Sequence, residues 1–133
     1  MSKGFQEDSI LIKTSDGRHI ILMESFTYIT NAGSIINIPA FIKSDGASVP
    51  KIFWNIIPPF GNYWKAAVLH DYLYRYTLYP KKYCDAIFYE AMSSLGVDIE
   101  IRKIMFKGVS IGGWKSFKEA RELNLKVPYE FNN

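Results

Sequence analysis

From Trp64 to Tyr76 the chain reads WKAAVLHDYLYRY. Small, apolar and aromatic side chains recur in this stretch at intervals of three and four residues, which predicts a helix with one buried face. That face consists of Ala66, Ala67, His70, Leu73 and Tyr74. We therefore expect the imidazole of His70 to lie against the core, and Asp71, the next residue, to lie at the edge of the same face.

A second periodic stretch runs from Lys82 to Leu95 and reads KYCDAIFYEAMSSL. Asp85 shares one helical face with Phe88, Met92 and Leu95, so a carboxylate is expected among buried apolar side chains. Burying an unpaired carboxylate costs several kcal/mol, and Asp85 therefore requires a partner. The link between the two helices is short and contains a proline, which predicts an antiparallel pair with His70 as that partner.

The region before these helices has the alternating pattern of β-strands. Residues 9–43 predict an antiparallel β-meander of four strands, with Asp16-Gly17 as the turn of its first hairpin and Pro39 as its end. His19 directly follows that turn region and is expected at the surface. Residues 44–62 are rich in proline, glycine and aromatic residues, which predicts an ordered loop without regular structure.

Helical patterns continue through residues 63–123, and residues 124–133 are expected to form a tail. Asp98 is placed to cap a third helix over residues 99–111, and Gly112-Gly113 should end it. The inward stripe of this helix is expected to contain Ile101, Ile104, Met105, Gly108 and Val109. In the following segment Trp114 and Phe117 are expected to pack, whereas Lys115, Lys118, Glu119 and Arg121 are expected to face water. The fold class that follows is α+β in a single domain, residues 1–133, with three to four helices.

Composition limits the classes of function. The 133 residues carry a formal charge of +3, and the basic residues are scattered among acidic ones, so nothing points to a specific nucleic-acid partner. Cys84 is the one cysteine, which excludes an internal disulfide, favours a reducing compartment and predicts a small buried side chain. No signal-peptide core and no apolar run long enough for a transmembrane segment is visible, so neither secretion by a signal nor membrane anchoring is expected.

The expected His70–Asp85 pair has the composition of a general-base device. A carboxylate fixes the tautomer of a histidine and stabilises the imidazolium that forms when the histidine takes a proton. Since the chain has no Gly-x-Ser-x-Gly motif, water is the simpler nucleophile, and hydrolysis is the reaction class. A divalent cation held by Asp71 and by Asp45 with its loop carbonyls would stabilise the oxyanion.

Two other interpretations remain open. The same His and Asp residues also suit a buried hydrogen-bonded network that fixes two helices and a loop without any substrate. Asp45-Gly46 equally suits a plain turn entering the core. A zinc site, as in a peptidoglycan-acting enzyme, is not supported, because the sequence lacks the usual spacing of zinc ligands.

Several motifs resemble a family of short phage and prophage proteins known as a domain of unknown function. The motifs are SDGASVP from Ser44 to Pro50, PPFG from Pro58 to Gly61, AAVLHDYLYR from Ala66 to Arg75 and DAIFYEAM from Asp85 to Met92, with Trp54, Arg102, Met105, Gly112 and Trp114. This resemblance covers most of the chain. It implies a phage origin and implies no particular activity.

A shorter motif, His70-Asp71-x-x-Tyr74-Arg75 followed by Asp85-x-x-Phe88, resembles the helix pair of bacterial and fungal phospholipases A2. Some capsid-borne viral phospholipases share it. The resemblance implies that His70 is the general base, Asp85 its orienting partner and Tyr74 a supporting hydroxyl, all three catalytic. It also implies that Asp71 and Asp45 are ligands of Ca²⁺, although those lipases generally have disulfides and this chain has one cysteine.

The leading hypothesis is a phage-encoded, metal-assisted hydrolase with a phospholipase-A2-like His/Asp site, acting on a phospholipid or another ester of the host envelope. The alternative is a non-catalytic virion or tail-assembly protein in which the same residues form a structural network. In either case we expect the protein in the host cytoplasm during infection, with incorporation into the virion and contacts to virion or tail proteins as a further expectation.

Overall fold

The structure is a computed structural model that describes residues 2–14, 19–44 and 62–126. It confirms the α+β class, with antiparallel sheets followed by helices. The strands are β1 (Gly4–Phe5), β2 (Ile12–Thr14), β3 (Ile20–Leu22), β4 (Phe26–Ile29), β5 (Ile35–Ile38) and β6 (Lys43–Ser44). The helices are α1 (Trp64–Tyr76), α2 (Lys81–Ser94), α3 (Ile99–Gly112) and α4 (Trp114–Lys126).

The strands of the described residues form two antiparallel sheets instead of one continuous meander. One sheet has the order β1-β4-β5 and the other the order β2-β3-β6. The two expected hairpin pairings, β2 with β3 and β4 with β5, are present. However, β4 takes β1 as its second neighbour and β3 takes β6, so these two strands do not pair with each other. The expected Asp16-Gly17 turn and residues 45–61 of the expected loop lie outside the described residues.

The β4–β5 hairpin shows how its turn sequence sets the register. The Thr30 amide donates to the Ser34 carbonyl at 2.9 Å. Gly33 has a φ of +94°, a backbone conformation that residues other than glycine rarely adopt. With this turn, Tyr28 pairs with Ile36 and Phe26 with Ile38, and all four side chains are buried. Pro39 directly follows β5 and is exposed, as expected for the end of a strand.

Helix α1 has the bounds that its periodicity predicts, and it lies at the centre of the core. Its predicted inward face is buried, together with Val68 and Leu69. The core that it shares with both sheets and with α2 includes Leu22, Phe26, Tyr28, Ile38, Phe88 and Met92. A polar contact also ties a sheet to α2, because the Tyr28 hydroxyl and the Asn31 amide both donate to Glu90 Oε1, at 2.7 and 2.8 Å.

Helix α3 begins as the sequence predicts, with the Asp98 side chain accepting a hydrogen bond from the Glu100 amide at 2.9 Å. Its buried residues are Met105 and Val109. The expectation that Ile104 faces inward is wrong, since that side chain is 39 % exposed and lies beside the buried stripe. Helix α3 ends at Gly112, with Gly113 as its cap.

Helix α4 corrects one expectation about the segment that begins at Trp114. Phe117 is half-buried and packs edge-on against Tyr74, and Trp114 contacts Phe117 edge-on although it is 56 % exposed. Arg121 does not face water, because its guanidinium donates to the carbonyl oxygens of Tyr74 at 2.8 Å and Leu73 at 3.3 Å. It therefore satisfies carbonyls at the end of α1 that have no partner within the helix.

Within the part of the chain that the structure describes, no helix combines the length and the apolar character that crossing a bilayer demands.

Candidate active site

His70 and Asp85 meet across the α1–α2 pair, as the sequence predicts. His70 Nε2 lies 2.7 Å from Asp85 Oδ1, and both side chains are buried. The imidazole also packs against the Phe88 ring, with 4.6 Å between the ring centres. The four residues that link the helices reverse the chain, which brings the middle of α1 against the first turns of α2.

Asp85 accepts two further hydrogen bonds in the same buried space. The Tyr74 hydroxyl donates to Oδ1 at 2.6 Å, and the Lys81 ammonium donates to Oδ2 at 2.7 Å. The resemblance to phospholipases A2 implies Tyr74 as a supporting hydroxyl, whereas Lys81 is not singled out from the sequence. Lys81 is 4 % exposed and makes a buried ion pair with Asp85.

Lys81 also joins this site to the end of α3. Its ammonium donates to the carbonyl oxygens of Val109 at 2.6 Å and Ser110 at 3.3 Å. These carbonyls belong to the last turn of α3, where a positive charge is favourable, and the Val109 carbonyl also accepts from the Gly113 amide at 2.9 Å. The Trp114 ring lies over the ammonium, 5.0 Å from it. One side chain therefore stabilises a buried carboxylate and a helix terminus together.

The surroundings lower the pKa values of both His70 and Asp85. Burial lowers the pKa of His70 and outweighs the opposing effect of Asp85, and the nearby Lys81 charge lowers it further. Burial alone would raise the pKa of Asp85, but hydrogen bonds from His70, Lys81 and Tyr74 together hold it below its ordinary value. At neutral pH the site therefore contains a carboxylate and a neutral imidazole. Since the carboxylate accepts from Nε2, the proton is on Nε2 and Nδ1 is the basic nitrogen.

A cavity of about 270 Å³ lies beside this network. His70, Asp71, Tyr74 and Arg75 of α1 line one side of it, and the other side comes from the end of α3 and from α4. Its lining includes the carboxylates of Asp71 and Glu119. The volume is near the lower end of the range for sites that hold small ligands. The imidazole is thus buried in the core and also forms part of a cavity wall.

The residues expected to hold a metal ion are only partly described. Asp71 is half-buried at the cavity, where its oxygen atoms are the donor type that Ca²⁺ prefers. Asp45 lies outside the described residues. Among residues 2–14, 19–44 and 62–126, no group of three or more His, Cys, Asp or Glu side chains is arranged to hold a metal ion.

Cys84 has the surroundings of a structural side chain. It is fully buried, and burial raises the pKa of its thiol to about 12. A thiol with this pKa is protonated at neutral pH and therefore is not a nucleophile. The sequence prediction of a small buried residue is confirmed.

Lys81 is the functional candidate that sequence reasoning missed, and a signal for it was present. It lies four residues before Asp85, the spacing at which a lysine and an acid contact each other along a helix. The adjacent Lys82, by contrast, is exposed. The structure separates the two lysines by burying the first.

Comparison with known proteins identifies the family of the chain and no activity. No curated protein and no solved structure matches the chain. A protein-family model matches residues 20–109, which contain His70, Tyr74, Lys81 and Asp85. Because this match spans more than half of the chain, the protein belongs to the family described as "Protein of unknown function (DUF1353)".

Proposed function

We propose that the protein is a hydrolase in which His70 acts as the general base that activates water. The observation that carries the proposal is the 2.7 Å contact of His70 Nε2 with Asp85, at the wall of a cavity. A neutral imidazole with an oriented Nε2 proton can take a proton through Nδ1, and the carboxylate then stabilises the imidazolium. Tyr74 and Lys81 hold that carboxylate in position.

The substrate that we propose is an ester of a host envelope, in keeping with the resemblance of the His70-Asp71-x-x-Tyr74 motif to phospholipases A2. The same resemblance supports Ca²⁺ as a cofactor held by Asp71 and Asp45. When bound, such a cation would stabilise the oxyanion that forms as water attacks the ester carbonyl. We also propose that the protein originates from a phage and acts in the host cytoplasm. Its incorporation into the virion is part of the same proposal.

The test is an assay of fatty-acid release from phospholipid vesicles, with added Ca²⁺ and with a chelator. The His70→Gln variant should lose at least about 100-fold of the activity, because general-base catalysis contributes a factor of this size. The matched control is Lys103→Gln, which changes an exposed residue that lines neither the cavity beside His70 nor the cavity between the β2-β3-β6 sheet and α1. If the wild-type protein releases no product under any metal condition, or if His70→Gln is as active as the control, the hydrolase proposal fails.

A second candidate, a non-catalytic virion or tail-assembly protein, is favoured by one specific observation. Lys81 neutralises Asp85 and also binds the end of α3, so the network joins three helices and satisfies its buried charges internally. A charge that is already neutralised stabilises an imidazolium less well, which suits a structural role.

Stability measurements distinguish the two candidates. If the network is purely structural, His70→Gln and Asp85→Asn should both lower the melting temperature sharply, and no ester should be hydrolysed by the wild-type protein. If the site is catalytic, His70→Gln should abolish hydrolysis while most of the melting temperature is retained, since catalytic groups are often not optimal for stability.

A further inference from the structure

A second cavity, of about 350 Å³, lies between the β2-β3-β6 sheet and helix α1. Three cationic residues from three different elements line it: Lys13 of β2, Lys43 of β6 and Arg75 of α1. Of its lining residues that the structure describes, none is acidic. His19, Thr14 and Ser44 add polar groups to the wall. We propose that this cavity binds the phosphate group of a phosphorylated ligand.

The sheet register places Lys13 and Lys43 on the two strands that flank β3, with Ile21 between them. Lys13 and Lys43 each pair with Ile21, from opposite neighbouring strands, so all three residues lie on the same face of the sheet. The spacing of strands places the two lysine backbones about 10 Å apart. Both side chains are exposed, and an anion placed between their ammonium groups is attracted by both.

Arg75 approaches the same cavity from the helix. It is half-buried, and its guanidinium lies over the Tyr76 ring, with 5.6 Å from Cζ to the ring centre. Stacking of this kind restricts the side chain while leaving its N–H groups able to bind an oxyanion. A guanidinium can donate two parallel hydrogen bonds to a phosphate, which makes Arg75 the residue that would orient the ligand.

The two cavities differ in charge and share Arg75. The cavity at His70 includes the carboxylates of Asp71 and Glu119, which repel an anion, whereas the described lining of the second cavity is cationic. Arg75 lines both. A phosphorylated ester would therefore place its phosphate in the second cavity and its uncharged ester group toward His70. Binding of phosphate does not depend on the proposed hydrolase, but this placement of a substrate rests on it.

The test is a calorimetric titration of the full chain with inorganic phosphate and with glycerol 3-phosphate. We expect saturable binding that weakens with added salt, falls about tenfold in Arg75→Gln and falls about fivefold in Lys43→Gln. The matched control is Lys103→Gln, an exposed lysine of α3 that changes the net charge equally. Absence of saturable binding, or an equal loss in the control, would overturn the proposal.

Two further arms identify the source of the phosphate and separate this proposal from the hydrolase. Vesicles of an anionic phospholipid that bind more tightly than glycerol 3-phosphate would identify a lipid headgroup as the ligand. Binding of the free phosphates without vesicle binding would identify a soluble ligand, and both results support the site. Phosphate binding should persist in His70→Gln, so loss of hydrolysis with intact binding counts against the proposed function alone. Hydrolysis without phosphate binding counts against this inference alone.

Discussion

Lys81 Nζ lies 2.7 Å from Asp85 Oδ2, one helical turn away on the same helix, and both side chains are almost completely buried. His70 Nε2 donates a hydrogen bond to Oδ1, the other oxygen of that carboxylate. Asp85 is therefore held between a cation and an imidazole. The charge state of the whole site depends on the cation, because without it a single negative charge would remain in the core.

We expect Lys81→Met to destabilise the protein by about 3 kcal/mol, since removing one partner of a buried ion pair leaves an uncompensated charge. The carbonyl oxygens of Val109 and Ser110 would also lose the hydrogen bonds that this ammonium donates. Chemical denaturation monitored by circular dichroism measures the change in the free energy of unfolding. Lys82→Met is the control, because Lys82 is exposed and should tolerate the substitution. Equal stability of the two variants would show that the buried pair contributes little.

Stability should fall as the pH is lowered below about 6.5. The pKa of His70 in the folded protein lies below its ordinary value of 6.5, so the unfolded chain binds a proton more readily. The stabilisation that this difference provides is complete above pH 6.5 and is lost as the pH falls toward the folded pKa, at no more than about 1.4 kcal/mol per pH unit. The pKa of Asp85 is also lowered, but protonation of Asp85 reduces stability only when the pH falls below 3.8, the ordinary pKa of this group.

Denaturation curves at a series of pH values from about 7.5 down to about 4.5 test the assignment. The His70→Gln variant should lose less stability across this range than the wild-type protein, because its side chain does not titrate. If His70→Gln responds to pH as steeply as the wild-type protein, the loss has another origin.

Gly113 allows α3, α4 and Tyr74 to meet closely. A Cβ atom there would overlap the Val109 carbonyl oxygen and would lie 3.1 Å from the Tyr74 hydroxyl. We therefore expect Gly113→Ala to destabilise the protein by about 1 to 3 kcal/mol, because packed backbone cannot move away without strain. Gly112→Ala is the matched control, since nothing lies within 4 Å of a Cβ atom at that position. Melting temperatures that fall equally in both variants would contradict this account.

The part of the site that depends on local periodicity was predictable from the sequence alone. His70 and Asp85 each lie on a helical face whose other residues are apolar, and the short link between the helices leaves few ways to pair them. The carboxylate also required a partner, and His70 was the nearest residue able to provide one. Helix α1 and the cap at Asp98 were predictable for the same local reasons.

The remaining features depend on contacts between residues that are distant in the sequence. The division of the strands into two sheets follows from the pairing of β1 with β4 and of β6 with β3, and neither short strand has a strong pattern of its own. The burial of Lys81 depends on the position of the end of α3, 28 residues later. From the sequence, Arg121 is expected to face water, and only the position of α4 against α1 shows otherwise.

Arg121 provides the last prediction, because it stabilises α1 from a different helix. Its guanidinium donates to carbonyl oxygens of Leu73, Tyr74 and Tyr79. We expect Arg121→Met to lower the free energy of unfolding by about 2 kcal/mol, because a hydrogen bond from a charged group contributes an energy of this size to stability. Lys118→Met, an exposed cation on the same helix, controls for the change in net charge. Hydrogen exchange at the amides of residues 73–79 should also become faster in Arg121→Met alone. Unchanged exchange at these amides would mean that the end of α1 is stable without the Arg121 contact. Helix α4 would then be held against α1 by apolar packing, such as the contact of Phe117 with Tyr74.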